Sequence, residues 1–250
     1  MTSSIGLHPY ARLGHLEALE GAAILERKLD TVANNMANVE TTGFKKQGMT
    51  FEEYLLPSVH EVRRNAKGEV ETTDFSQGEL RETGNPLDFG IEGEGFFVVE
   101  TPFGREYTRS GNFTLDDLNR LVTQEGYPVL GEGAPITLED TTGVGIWLSE
   151  DGRLFVDETE AGVLDVVTFD NLQALHRVGQ NLFTSTEESG QELPSEARVR
   201  QGYLENSNVN PLETMTHLMD LYRAYEAQLK TIQAMDQMDS RAANDIGKLT

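Results

Sequence analysis

Apolar residues recur at alternating spacings of four and three near both ends of this chain and not between them, so two helices with apolar seams, each needing a helical partner, frame whatever lies in the middle. The first seam runs through Ala11, His15, Ala18, Ala22, Leu25, Leu29, Val32, Met36 and Val39. Strong helix formers fill Leu16 to Leu29, and Gly43, just behind Thr41 and Thr42, is placed to end the helix or to turn the chain beyond it. The second seam uses Met215, Leu218, Tyr222, Tyr225, Leu229 and Ile232, tightens to a spacing of three through Met235 and Met238, and continues through Ala242, Ile246 and Leu249. Three start signals coincide ahead of it: Asn210 as N-cap, Pro211 at the first helical position and Glu213 at the third, where it completes a capping box. Together they predict a helix beginning at Pro211.

Between the seams the texture changes to short β-rich runs separated by Gly, Asp and Asn: Leu87 to Ile91, Phe96 to Glu100, Phe113 to Leu115 and Tyr127 to Leu130. This is the pattern of an antiparallel β domain. Ile146-Trp147-Leu148, then Glu150-Asp151-Gly152, then Leu154-Phe155-Val156 reads as a hairpin, because Asp-Gly accepts the positive φ of a tight turn. A further strand is expected over Leu164 to Phe169. The fold class expected is mixed α and β. A discontinuous, coiled-coil-like helical domain is drawn from both termini, 1–43 and 206–250; polar extended connectors span 44–84 and 184–205; a central antiparallel β domain covers 85–183.

Charge narrows the function classes. With 42 acidic against 20 basic residues among 250, the formal net charge is -22, which repels phosphate backbones and anionic membrane surfaces. No nucleic-acid partner and no membrane insertion are expected, and no run approaches the roughly 18 apolar residues of a spanning helix. The chain has no cysteine, hence no thiol nucleophile and no thiolate metal site. A basic region followed by an apolar stretch and a cleavage site is not found at the start, so any export is expected to use a route without a cleaved signal.

Catalytic, cofactor and metal sites are not expected either. His8, His15, His60, His176 and His217 show no pair at metal-ligand spacing. The glycine-rich stretch Gly90 to Phe97 lacks a P-loop lysine and leads into apolar β residues, so it reads as a strand turn. Ser110, between Arg109 and Gly111, lacks the esterase elbow, and the many carboxylates read as solvated surface. Asn34, Asn35 and Asn38 are more informative, because three amides near a helix C-terminus cost helix propensity. Either they end the helix as solvated amides, or they pair across a packed interface. Tyr222 and Tyr225 carry the same ambiguity between core and intersubunit contact.

Thr31-Val32-Ala33-Asn34-Asn35-Met36-Ala37-Asn38-Val39, followed by Thr42-Gly43-Phe44-Lys45, resembles the N-terminal motif of bacterial flagellar rod and hook proteins. Two further blocks agree with it in the same order along the chain. Glu92 to Val99 with Tyr107-Thr108-Arg109-Ser110-Gly111-Asn112-Phe113-Thr114 resembles the family's β core; Gln201-Gly202-Tyr203-Leu204-Glu205 with Ser207-Asn208-Val209-Asn210-Pro211 resembles its C-terminal block. Short length, a single small β domain and the run Gly126 to Gly131 look more like a basal-body rod member than a hook member, which carries larger extra β domains.

The resemblance implies a structural subunit of the periplasmic rod that transmits motor torque. It also implies export through the flagellum's own type III apparatus, and copies of itself and other rod or hook subunits as partners. The assembly interface expected from the seams comprises Leu25, Leu29, Val32, Asn34, Asn35, Met36, Asn38 and Val39 at one end. At the other it comprises Asn210, Pro211, Met215, Leu218, Tyr222, Tyr225, Leu229 and Ile232. The reading from another class is a surface enzyme whose β domain is presented on a helical stalk; it would need a concave site with perturbed acids.

Overall fold

The computed structural model describes residues 9–55, 65–138, 145–149, 152–157, 159–179 and 181–247. His8, His60, the turn residues Glu150 and Asp151, and Leu249 lie outside the described residues. The chain divides into two compact units, one made of 1–37 with 210–250 and the other of 38–209.

The first unit is a pair of helices, α1 (Pro9–Ala37) and α2 (Pro211–Gly247). Helix α2 starts where its cap signals place it: the Asn210 carboxamide oxygen accepts the backbone N–H of Leu212 at 3.0 Å and of Glu213 at 3.3 Å. The helices run antiparallel, since Gln228 Nε2 donates to the Ala18 carbonyl at 2.9 Å while Leu29 and Ala33 share a groove with Leu218 and Tyr222. On α1 the residues turned inward are Ala18, Ala22 and Val32, fully buried, with His15, Leu25, Leu29 and Met36 half-buried. Alanines at two successive seam positions allow the backbones to approach closely. On α2 the inward stripe is Thr214, Leu218, Leu221, Tyr225, Gln228, Ile232 and Met235, again at spacings of four and three.

The second unit is antiparallel β throughout its described pairings. In chain order its strands begin with β1 (Gln47–Leu55), β2 (Asn65–Thr73), β3 (Leu80–Glu82), β4 (Phe89–Glu92), β5 (Phe96–Thr101) and β6 (Gly104–Thr108). They continue with β7 (Thr114–Leu115), β8 (Leu121–Val122), β9 (Leu130–Gly131), β10 (Ala134–Pro135), β11 (Ile146–Leu148), β12 (Arg153–Val156) and β13 (Thr159–Val163). The remainder are β14 (Val166–Thr168), β15 (His176–Gly179), β16 (Leu182–Thr184), β17 (Leu193–Pro194), β18 (Arg198–Gln201) and β19 (Tyr203–Glu205). The main sheet has the order β15-β16-β6-β5-β14-β17.

Strand β5 explains the continuous apolar run Phe96 to Val99: both of its faces are buried. Phe97 and Val99 enter one core with Phe89, Ile91, Phe113, Leu121 and Leu154; Phe96 and Val98 enter a second with Tyr107, Phe169 and Phe183. The glycine-rich stretch ahead of β5 is the turn between β4 and β5. At Gly111 a Cβ would lie 1.7 Å from the Phe89 carbonyl oxygen, so only glycine lets these two backbones meet. The β11–β12 hairpin forms in register Trp147↔Phe155, with Gly152 at φ 80°.

The stretches 44–84 and 184–205, expected as connectors, hold strands that join the body. β18 pairs with β4, β19 pairs with β3, and β1 pairs with β2 as a two-stranded ribbon. On β2 the successive residues Val70 and Glu71 are both exposed, so no apolar alternation marks the strand there. The chain is thus mixed α and β, with two terminal helices and a central antiparallel β region.

Candidate functional site

The α2 seam read from the sequence divides in two. Leu218, Tyr225 and Ile232 belong to the stripe buried against α1, whereas Met215, Tyr222 and Leu229 are exposed. With 100° per residue, the exposed three lie roughly a quarter of a turn from the buried stripe, and Leu212 and Met219 continue their stripe away from it. This second apolar stripe remains exposed in the chain: Leu212 is 77% accessible and Leu229 38%. Part of it borders a groove of about 440 Å³ whose lining is Leu29, Ala33, Leu218, Met219 and Tyr222 together with the charged Asp30 and Arg223. Leu212 and Met219 fall outside the single heptad seam of the sequence because two stripes interleave there.

The N-terminal candidates are placed with less exposure. Leu25, Leu29, Val32 and Met36 face inward; Asn34 is exposed, Asn35 is buried, and Asn38 and Val39 are half-buried. Asn38 turns the chain after α1, its carbonyl accepting Thr41 N–H at 3.2 Å and its Oδ1 accepting the Thr41 hydroxyl at 3.1 Å. Asn210 and Pro211 form the exposed cap of α2.

A second constellation lies within the β unit. Lys45, Arg109 and Glu205 meet in its interior, Lys45 and Glu205 each only 1% exposed. The Lys45 ammonium donates to Glu205 Oε1 at 2.6 Å, to the Ser76 carbonyl at 2.8 Å and to the Phe75 carbonyl at 3.4 Å, using all three of its protons. Glu205 Oε1 also accepts Gly78 N–H at 2.9 Å, and Oε2 accepts Arg109 Nη1 at 3.2 Å. Arg109 Nη2 reaches the Gly93 carbonyl at 2.8 Å, while its buried Nε has no acceptor among the described residues.

Burial pushes the Lys45 ammonium and the Arg109 guanidinium below their ordinary values, and the shared Glu205 carboxylate opposes the shift in both. The cluster is closed to solvent. Its chemistry is cross-linking by charge, since it leaves no face on which a substrate could sit.

Neighbouring contacts strap the same loop from several sides. Gly43 adopts φ 67°, and a Cβ there would stand 2.5 Å from the Arg109 carbonyl carbon. Its N–H donates to the Glu205 carbonyl at 2.7 Å. Phe44 is fully buried beneath the Arg177 guanidinium, 4.3 Å from the ring centroid, and Arg177 also donates to the Lys45 carbonyl at 3.2 Å. Asn208 accepts Lys46 N–H at 2.7 Å and donates to the Asp74 carbonyl at 2.8 Å. In the sequence the three charges sit inside the three family-like blocks with nothing to mark them as a cluster. Lys45 and Arg109 stand 160 and 96 residues from Glu205, and no spacing rule links charges so far apart.

Among the described residues no group of three or more His, Asp or Glu is placed to hold a metal ion, and no helix is long and apolar enough to cross a membrane.

Comparison with known proteins matches the same three regions. Residues 16–45 match the family described as Flagella basal body rod protein, residues 90–156 the Flagellar hook protein FlgE/F/G D1 domain, and residues 200–245 the Flagellar basal body rod FlgEFG protein C-terminal region. One of the three charges falls in each segment. The chain is 35% identical over 231 residues to the flagellar basal-body rod protein FlgF of Caulobacter vibrioides, covering 90% of this chain and 94% of that protein. It is 36% identical over 258 residues to the rod protein FlgG of Borreliella burgdorferi, covering 91% and 96%. FlgG of Bacillus subtilis is 28% identical over 253 residues, with 90% and 96% covered.

Proposed function

From the premise that the chain belongs to the flagellar basal-body rod family and is a structural subunit of the rod, we propose that it polymerises through its terminal helices, α1 and α2 pairing within the subunit and the outer stripe of α2 meeting its neighbours. Its place is the flagellar basal body, among other rod and hook subunits. The observation that carries the proposal is the stripe Leu212, Met215, Met219, Tyr222 and Leu229, which a helix otherwise served by its partner leaves facing solvent. Contiguous apolar surface of this kind marks an interaction site.

Within this reading the terminal segments form the assembly domain, coiled-coil-like once neighbours add their own helices, and the β unit helps to transmit torque along the periplasmic axle. Delivery in this reading is by the flagellum's type III export apparatus. The short chain and the run Gly126 to Gly131 favour FlgF over FlgG as its counterpart, although the identities, 35% and 36%, are balanced. The test is Leu229→Asp in a strain lacking the native subunit. Loss of motility and of the subunit from isolated basal bodies, with the helix content of the purified chain preserved, is the expected result; normal incorporation would remove Leu229 from any packed interface.

A further inference from the structure

Methionine is concentrated on α2, and its exposure there is uneven. Met215 and Met219 stand one turn apart on the outer stripe, 51% and 55% exposed; Met238, 62% exposed, lies about 100° round the helix from Met219; Met235 is half-buried on the stripe facing α1. Without any cysteine, the chain has no thiol to intercept oxidants first. An exposed thioether is open to two-electron oxidants, and its sulfoxide is polar and chiral where the thioether was apolar and pliable.

We propose that Met215 and Met219 are peroxide-modification sites, and that their oxidation in the unassembled subunit switches off the outer stripe. The consequence for assembly rests on the reading of that stripe given above. The sulfur lone pair attacks one peroxide oxygen, an S–O bond forms as the O–O bond breaks, and the departing hydroxide takes up a proton to leave as water. Sulfur loses two electrons and the peroxide gains them, so hydrogen peroxide is the only co-reactant. Met219 lines the groove with Leu29, Ala33 and Tyr222, so an S=O dipole there must be desolvated before a neighbouring apolar side chain can cover it. Once a neighbour covers the stripe, the same sulfurs are shielded, and the modification acts on free subunits only.

The experiment has two arms. In the first, the purified full-length chain is exposed to graded hydrogen peroxide and each methionine is read by peptide mass spectrometry. Met215 and Met219 are expected to oxidise within about threefold of the rate of Met238 and about tenfold faster than Met235. Rates for both equal to that of Met235 would overturn the site assignment.

In the second arm, a strain lacking the native subunit carries either Met215→Gln with Met219→Gln, placing a polar group of sulfoxide-like size on the stripe, or Met215→Leu with Met219→Leu. The Gln pair is expected to lose incorporation into isolated basal bodies, while the Leu pair and a Met238→Gln variant keep it. Incorporation of the Gln pair at the normal level would overturn the switch. Leu212→Asp separates this from the parent reading: if it too incorporates normally the stripe itself is refuted, whereas if it fails while the Gln pair succeeds only the oxidation switch is lost.

Discussion

Glu205 holds two cations in a space from which water is excluded, so its charge matters more than its size. Exchanging Glu205 for Gln keeps the volume and one acceptor oxygen but leaves Lys45 and Arg109 buried without a counter-ion, a change that costs about 3–5 kcal/mol when a buried pair is broken. Denaturant unfolding of Glu205→Gln should therefore show a midpoint far below the parent's. Replacing all three charges with apolar residues of similar volume should recover much of the loss, because the desolvation penalty disappears with the charges.

Tyr107 gives a second residue-scale prediction. Burial, reinforced by the hydrogen bond its hydroxyl donates to Glu192, raises its pKa to about 12. The fold favours the neutral phenol, so Tyr107's contribution to stability is complete below the unfolded value of about 10 and is lost as pH climbs from there towards 12. In an alkaline titration followed by phenolate absorbance, Tyr107 should ionise near pH 12, and Glu192→Gln should move that step downward.

At the scale of elements, α2 serves two surfaces with one sequence, and substitutions on its two stripes should separate. A charge at Leu218, half-buried on the stripe facing α1, must be desolvated or must open the helix pair, and either costs several kcal/mol. Leu218→Asp should lower the helical signal and its melting temperature. Tyr222→Asp, on a residue 56% exposed, should leave both unchanged and abolish incorporation into the rod. Equal loss of helix in the two variants would show that the stripes are not independent. The start of α2 was legible because capping is local chemistry: Asn210, Pro211 and Glu213 lie within four residues and signal the start at Pro211. The division of the seam was not legible, because a list of apolar positions at spacings of three and four does not say which partner each position meets. Met215 and Leu218 are adjacent in that rhythm yet face different surroundings.

At the scale of the molecule, the net charge of -22 sets subunits against one another before apolar contact can hold them. Assembly of the purified chain should therefore strengthen as salt rises, since roughly 0.15 M shortens the screening length to about 8 Å. The β unit has its own long-range organisation. Its short strands were legible wherever apolar residues cluster, as at Phe96 to Val99, but β18 and β19 were hidden in a polar stretch because β18 alternates Arg198 and Arg200, exposed, with a single buried Val199. These strands close the body: β18 covers β4, β19 pairs with β3, and Glu205 at the end of β19 supplies the carboxylate for Lys45 and Arg109.

A fragment limited to 85–183 keeps the main apolar clusters but loses both strands, the carboxylate and the Lys45 loop, leaving Arg109 buried and unpaired. The fragment 38–209 keeps all of them, within the size range of an independent domain. It is expected to unfold in one cooperative transition and to retain the near-UV dichroism of Trp147, the chain's single tryptophan, stacked on Phe155 at 4.2 Å. The shorter fragment should lose that transition at neutral pH, and it should recover little when Arg109→Met removes the orphaned charge, because the missing strands remain missing. Cooperative folding of 85–183 with the stability of 38–209 would show that the closing strands and the buried charges contribute nothing to holding the body together.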